Sequence, residues 1–273
     1  MSEPFRFQVQ TQDGVALLTF DHGRVNEMGS AQLDALEVLI AELQAGAVGA
    51  LVTTSTKTTS RGTPIFQAGA NVTERSGWSL EQVKAHVRRQ RAILASLRQL
   101  PLFHVGLIGG AALGWGCEYC ITCDYRIATP DAVFALPETG LGILPGAGGS
   151  SELAQLIGLP QALRLGMTGE RIDAQEALRI GLVQEIVPDT EAGLARAKAL
   201  AQRVARNSPT AVGAFKRATL AALGHGPAER MEIEARAYEL CADSGEAAVG
   251  RENFGDIRKG VRPPWGPLQV FEP

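Results

Sequence analysis

Gly109-Gly-Ala-Ala-Leu-Gly-Trp-Gly-Cys-Glu-Tyr-Cys-Ile-Thr-Cys-Asp-Tyr-Arg-Ile-Ala128 is the stretch that decides the fold. It opens on two glycine turns, Gly109-Gly110 and Gly114-Trp115-Gly116, and runs into a helical pattern with Glu118 in its first turn. Twenty residues on, Glu138 stands in Leu136-Pro-Glu-Thr-Gly-Leu-Gly142, and a third turn, Pro145-Gly-Ala-Gly-Gly149, follows at once. Glycine lets backbone N–H groups approach a ligand closely. Paired carboxylates beside exposed N–H donors move protons next to a polarised carbonyl. The combination points to chemistry alpha and beta to an acyl carbonyl.

Working outward, the chain has 273 residues, enough for one large domain or a domain with an appendage. A hydrophobic content of 45% with 20% charged residues excludes a disordered chain. A net charge of −3 gives no basic footprint for nucleic acid. The densest cationic run, Arg88-Arg89-Gln-Arg91, lies in a helical pattern and reads as a solvated face. The start, Met1-Ser-Glu-Pro-Phe-Arg-Phe7, shows no leader pattern, and Leu102 to Leu113 is too short and glycine-rich to span a bilayer. The expectation is a cytoplasmic protein with no membrane partner.

Cys117, Cys120 and Cys123 form part of an iron–sulfur ligand run, but Ile127 stands where the fourth cysteine belongs. At three-residue spacing they share one helix face and read as small buried hydrophobes. His22, His86, His104 and His225 make no ligand spacing, so no metal is expected. The chain also lacks a G-x-G-x-x-G helix opening, a P-loop and a G-x-S-x-G elbow. Ser150 and Ser151 read as caps of the next helix rather than nucleophiles.

Hydrophobic periodicity gives an α/β reading. Phe5 to Phe20 predicts two strands around Asp13-Gly14, and Val48 to Thr54 and Leu102 to Ile108 predict buried strands. Asp124 to Ala128 and Val133 to Leu136 predict short strands. Ser30 opens a helix, and Ser79-Leu-Glu-Gln82 is a capping box with Trp78 and Val83 placed for a hydrophobic staple. Helices follow over Ser150 to Ile157, after Asp173, over Glu191 to Arg206, and from Pro209. Asn207-Ser-Pro209 separates the α/β part from a helical tail.

With these motifs in hand, the chain resembles the enoyl-CoA hydratase/isomerase (crotonase) family. The stretches Gly109 to Ala128 and Phe134 to Gly149 carry the resemblance, joined by Phe66-Gln-Ala-Gly-Ala-Asn71, Thr168 to Ala177, Gly181-Leu-Val183 and Asn207 to Lys216. It covers nearly the whole chain. It implies a spiral of ββα units over 1–206 with the acyl-CoA site, and a C-terminal helical region over 207–273 for trimerisation and closure of the CoA site. It implies an acyl-CoA thioester as substrate and a homo-oligomer, a trimer or dimer of trimers. No cofactor is implied, since CoA is part of the substrate.

By the same resemblance, Ala68 and Trp115 match the two N–H donors of an oxyanion hole. Glu138 matches the residue that protonates Cα, and Glu118 the one that positions and deprotonates water attacking Cβ. Gly146 matches the glycine whose N–H helps hold that water. Arg24 and Asn26 match a CoA-binding segment, and Arg258, Lys259 and Arg262 a basic C-terminal segment that reaches CoA. The implied activity is an enoyl-CoA hydratase-like lyase. An isomerase, decarboxylase or thioester hydrolase of the same family is the alternative, and a non-catalytic acyl-CoA-binding or RNA-binding relative a further one. Three departures stand out: Trp115 where glycine is usual, Asn71 where aspartate is usual, and extra loop length over Ser60 to Pro64.

Overall fold

The computed structural model describes residues 5–46 and 48–273. Met1 to Pro4, the start of the segment without a leader pattern, and Ala47 lie outside the described residues. Strands β1 (Gln8–Gln12) and β2 (Val15–Phe20) form the predicted hairpin, with Asp13 at φ 51° and Gly14 at φ 74°. Two successive positive φ values give the turn that matches strand twist. Helix α1 (Ser30–Gln44) then leads to β3 (Ala50–Ser55), parallel to β2.

From β3 onward the chain alternates between two sheets. It runs β3, β4 (Ile65–Gln67), then α2 (Leu80–Arg98); β5 (Phe103–Ile108), β6 (Ala111–Leu113), then α3 (Trp115–Thr122). The third pair is β7 (Tyr125–Ala128) and β8 (Val133–Ala135), followed by a 3-10 turn over Pro137–Leu141 and helices α4 (Leu153–Ile157) and α5 (Leu159–Thr168). The larger sheet has order β1-β2-β3-β5-β7 and ends on β10 (Glu185–Ile186); the smaller joins β4, β6, β8 and β9 (Ile172–Asp173). Each ββα step advances one strand in both sheets, as in Val52↔Val105 and Leu107↔Ile127 in one and Ala112↔Phe134 in the other. This is the expected spiral.

Burial follows from that arrangement. Central parallel strands are covered on both faces, so β3 is buried almost throughout. One face of the larger sheet meets α7 (Thr190–Ala205), where Ala197, Ala201 and Ala205 recur at helical spacing and let the helix lie close over Val52, Val105 and Leu107. The other face closes on the main core, which includes Phe20, Phe66, Tyr119 and Phe134. Cys117, Cys120 and Cys123 are free and lie in this core, as their spacing suggested. Burial pushes the Cys123 thiol up to about 12.

Two ends of α3 matter for the site. Its C-terminal carbonyls are taken by buried Arg126, whose guanidinium donates to Cys120 O, Cys123 O and, at 2.6 Å, Leu182 O. α6 (Ala174–Arg179), α8 (Pro209–Ala221), α9 (Pro227–Asp243), α10 (Glu246–Glu252) and α11 (Phe254–Ile257) complete the chain. Lys216 on α8 reaches back to Asp124 at 2.8 Å and to Leu102 O at 3.0 Å.

Local chemistry agrees with the sequence in most places. The Ser79–Gln82 capping box forms, and Asp173, Asp189 and Ser208 cap their helices. Trp78, expected against Val83, has its ring 5.0 Å from that of His86. Ser150 and Ser151 do not cap α4, which begins at Leu153 with Glu152 at the N-cap. The glycine-rich loop keeps turning for two residues longer than the apolar pattern allows for. α1 begins at Ser30, but the carboxylate that accepts its N–H comes from Glu74, at 2.9 Å. Asn71 accepts the N–H of Glu74 at 3.2 Å, so its amide does serve as the turn acceptor.

Candidate active site

The site is built where β6 turns into α3. Gly114 has φ 54° and ψ −123°, a region closed to side-chain-bearing residues. A Cβ there would stand 2.9 Å from Glu138 Oε1. A Cβ on Gly116 would collide with the backbone oxygen and Oε1 of Gln67. These two glycines let a carboxyl and a strand end close on the start of the helix. The N–H groups of Trp115, Gly116 and Cys117 find no backbone acceptor among the described residues, and the first intrahelical bond is Glu118 N–H to Gly114 O at 3.0 Å. The Trp115 N–H is therefore free to donate, with the positive end of the helix behind it.

The other expected donor is corrected. The Ala68 N–H donates to Val25 O at 3.1 Å and is not free. The free N–H of this turn lies two residues on: that of Ala70 has no acceptor among the described residues, with Gly69 at φ 105° before it. Gly69 lies beside Gly114, within 4.0 Å of where a Gly114 Cβ would sit, so the two free donors come from adjoining stretches of backbone.

The Trp115 side chain packs into the core. The indole is 3% exposed, belongs to the main core, and sits 6.0 Å from Tyr119.

The two glutamates are both buried, at 3% and 9% exposure, and differ in their partners. Glu118 Oε1 accepts from Ala147 N–H at 2.6 Å and Gly149 N–H at 3.0 Å. Burial raises its pKa, while those two N–H groups and the charge of Arg91 oppose the rise. Glu138 sits in the 3-10 turn, and its Oε2 has no partner. Burial pushes it up to about 7, opposed by its own backbone N–H and reinforced by the charge of Glu118. One carboxyl thus has its charged form hydrogen-bonded, and the other is held near neutrality.

Around them, the Gly146 N–H has no acceptor among the described residues, while its carbonyl accepts from Arg91 Nε at 2.7 Å. Ala147 and Gly149 are contacts the sequence did not single out; the clue was only their membership of the third glycine turn. A cavity of about 390 Å³ reaches Glu118 from the side of Arg91, Arg98 and Glu152.

The expected CoA residues divide. Asn26 is fully buried at φ 57°, donating to Ser55 Oγ at 2.9 Å and Phe66 O at 3.0 Å and accepting from His22 N–H at 2.9 Å. These bonds tie the segment to β3 and β4. Arg24, Arg258 and Lys259 are exposed, and Lys259 meets Asp256 at 3.4 Å. His22 and His104 are buried among aromatic rings, with His104 bonded to Thr53 at 2.9 Å. Burial keeps both histidines below their ordinary pKa.

A ββα spiral with two free N–H donors and two buried glutamates near its β6–α3 turn defines the class. The sequence pattern described as enoyl-CoA hydratase/isomerase matches residues 10–265, and the chain belongs to that family. YngF of Bacillus subtilis (strain 168) is 34% identical over 263 residues, spanning 96% of this chain and 98% of that protein. The short-chain-enoyl-CoA hydratase of Clostridium acetobutylicum is 31% identical over 258 residues, spanning 92% and 95%. The crystal structure of an enoyl-CoA hydratase from Bacillus anthracis superposes with a TM-score of 0.86 at 31% identity, covering 96% of this chain and 99% of that one. No helix among the described residues is long and apolar enough to cross a membrane.

Proposed function

We propose that this protein is an acyl-CoA hydratase, adding water across the α,β double bond of an enoyl-CoA thioester or removing it. The observation that carries the reading is the unequal pair of buried carboxyls, Glu118 bonded by two N–H groups and Glu138 with a free oxygen and a pKa near 7. In the hydration direction the thioester oxygen accepts from the N–H groups of Ala70 and Trp115. Water, placed by Glu118 and the Gly146 N–H, attacks Cβ and gives a proton to Glu118. Glu138, protonated, gives its proton to Cα. The pair then resets by exchange with solvent. Each donor lost from such a hole costs about 3 kcal/mol of barrier in other enzymes. The reaction so written needs no metal or redox cofactor.

Arg24, Arg258 and Lys259 are assigned to the CoA phosphates under the same proposal. The helices after residue 207 are assigned to a trimer or dimer of trimers; Phe215, Tyr238 and Phe254, at 76%, 75% and 62% exposure, support it. Light scattering on the purified protein tests that part.

A double-bond isomerase is the second reading. It is favoured by Glu118 Oε1 already holding two N–H groups, which leaves Glu138 as the freer proton carrier. The deciding experiment follows loss of conjugated-thioester absorbance over short, branched and aromatic enoyl-CoAs, with mass detection of products. A water adduct supports the hydratase; a shifted double bond with no change in mass supports the isomerase. Glu138→Gln abolishes turnover under either reading and leaves CoA-thioester binding largely intact. Full turnover in that variant refutes both.

A further inference from the structure

We propose that Gln67 is the positioning residue of the oxyanion site, its carboxamide fixing the peptide whose N–H Ala70 presents to the substrate. The inference rests on the two-donor part of the reading above.

Gln67 ends β4 and is fully buried. Its side chain does not reach across the core to a distant partner. It folds back on one residue, accepting the Gly69 N–H at Oε1 (3.1 Å) and donating from Nε2 to the Gly69 carbonyl (3.0 Å). That carbonyl also accepts the Met28 N–H at 3.0 Å. The Gly69 C=O and the Ala70 N–H belong to one planar unit and point in opposite directions. Two donors that hold the oxygen therefore aim the N–H, and by polarising the amide they strengthen it as a donor.

The same side chain touches the second donor segment. Gln67 O and Oε1 lie against Gly116, so closely that a Cβ there would collide with both. Gly116 is the residue after Trp115 in the first turn of α3. One carboxamide thus spans the strand end that carries Ala70 and the helix start that carries Trp115. A residue merely filling this dry position would be apolar, because a buried amide is tolerated only when its bonds are met. Here every one recorded for the side chain goes to the Gly69 peptide groups.

The test compares wild type with Gln67→Met, which keeps volume and removes both bonds, and with Gln67→Ala, which leaves room should Met not fold. A carbonyl-labelled enoyl-CoA is bound, and the infrared shift of its thioester carbonyl is read beside kcat and KM. The expected result is a kcat lowered about tenfold or more, as for loss of part of an oxyanion site, KM within about threefold, and a smaller carbonyl shift. A variant that keeps the wild-type shift and kcat overturns the proposal. So does one that loses binding and activity together while the shift of the remaining bound fraction is unchanged. If the wild-type protein shifts no carbonyl band, the two-donor reading itself falls, which the wild-type spectrum shows before any variant is made.

Discussion

Replacing Glu138 by glutamine should make the protein more stable above neutral pH, not less. The native carboxyl is pushed up to about 7 from its ordinary 4.5. A folded-state pKa above the unfolded one means that the folded chain binds the proton more tightly. The stability this supplies is fully present below about pH 4.5 and is lost as pH rises through about 7. The difference corresponds to about 3.4 kcal/mol at its ceiling, and about 2 kcal/mol once solvent at the mouth of the site screens the charge. Glutamine has nearly the same shape and never ionises, so the variant escapes that loss. Urea unfolding of both proteins at equal concentration, at about pH 5 and about pH 8, reads the effect. Near pH 5 the two should differ little. Near pH 8 the variant should exceed wild type by about 2 kcal/mol. A difference that does not change with pH, or a variant that weakens further as pH rises, refutes the claim that the fold raises the Glu138 pKa.

The pH dependence of kcat for hydration should be bell-shaped. Its alkaline limb falls as the carboxyl at about 7 loses its proton, and its acid limb lies above the ordinary carboxylate range because burial raises Glu118; the limbs belong to the coupled pair. A flat profile across neutrality removes the acid–base assignment. Gly114→Ala should lower kcat and destabilise by about 1–3 kcal/mol, since the new Cβ stands at a positive φ and 2.9 Å from Glu138 Oε1; wild-type kcat and melting temperature would contradict that geometry. Trp115→Gly should destabilise by about 3–5 kcal/mol through the cavity left by a core indole without widening the acyl range. A broadened substrate profile would place the indole in the pocket instead.

The sequence disclosed the fold and the two glutamates for one reason: dense, regular signals. β3, β5 and β7 are buried runs of four to six residues, and both glutamates stand beside turns that only glycine makes. What escaped was set by pairing over long separations. β6, β9 and β10 have three, two and two residues, too few for any period, and exist because neighbours in the sheets supply their hydrogen bonds. Which N–H of the Gln67 to Asn71 turn is free was likewise illegible. Val25 and Met28 decide it, some forty residues upstream, by engaging the Ala68 N–H and the Gly69 carbonyl. The bracing part of Asn26 was illegible for the same reason: its partners at Phe20, Ser55 and Phe66 are scattered in sequence.

The unequal behaviour of two identical side chains follows from where the chain puts them. Glu118 lies in the first turn of α3, against a loop whose Ala147 and Gly149 amides point at it, so its negative charge is met by N–H groups on one side and the helix start on the other. Glu138 lies in a tight 3-10 turn and looks back across Gly114, where one oxygen meets nothing and the nearest charge is that of Glu118. A carboxyl that feels the charge of another ionises less readily. The one with donors keeps the charge, and the one without keeps the proton. Exchanging the roles would require moving the Pro145 to Gly149 loop rather than altering either glutamate. Shortening that loop by one residue should therefore abolish the asymmetry. A titration following both carboxyl carbons should then find Glu118 raised further while Glu138 falls; an unchanged pair would show that burial alone, and not the loop amides, sets the acid and the base.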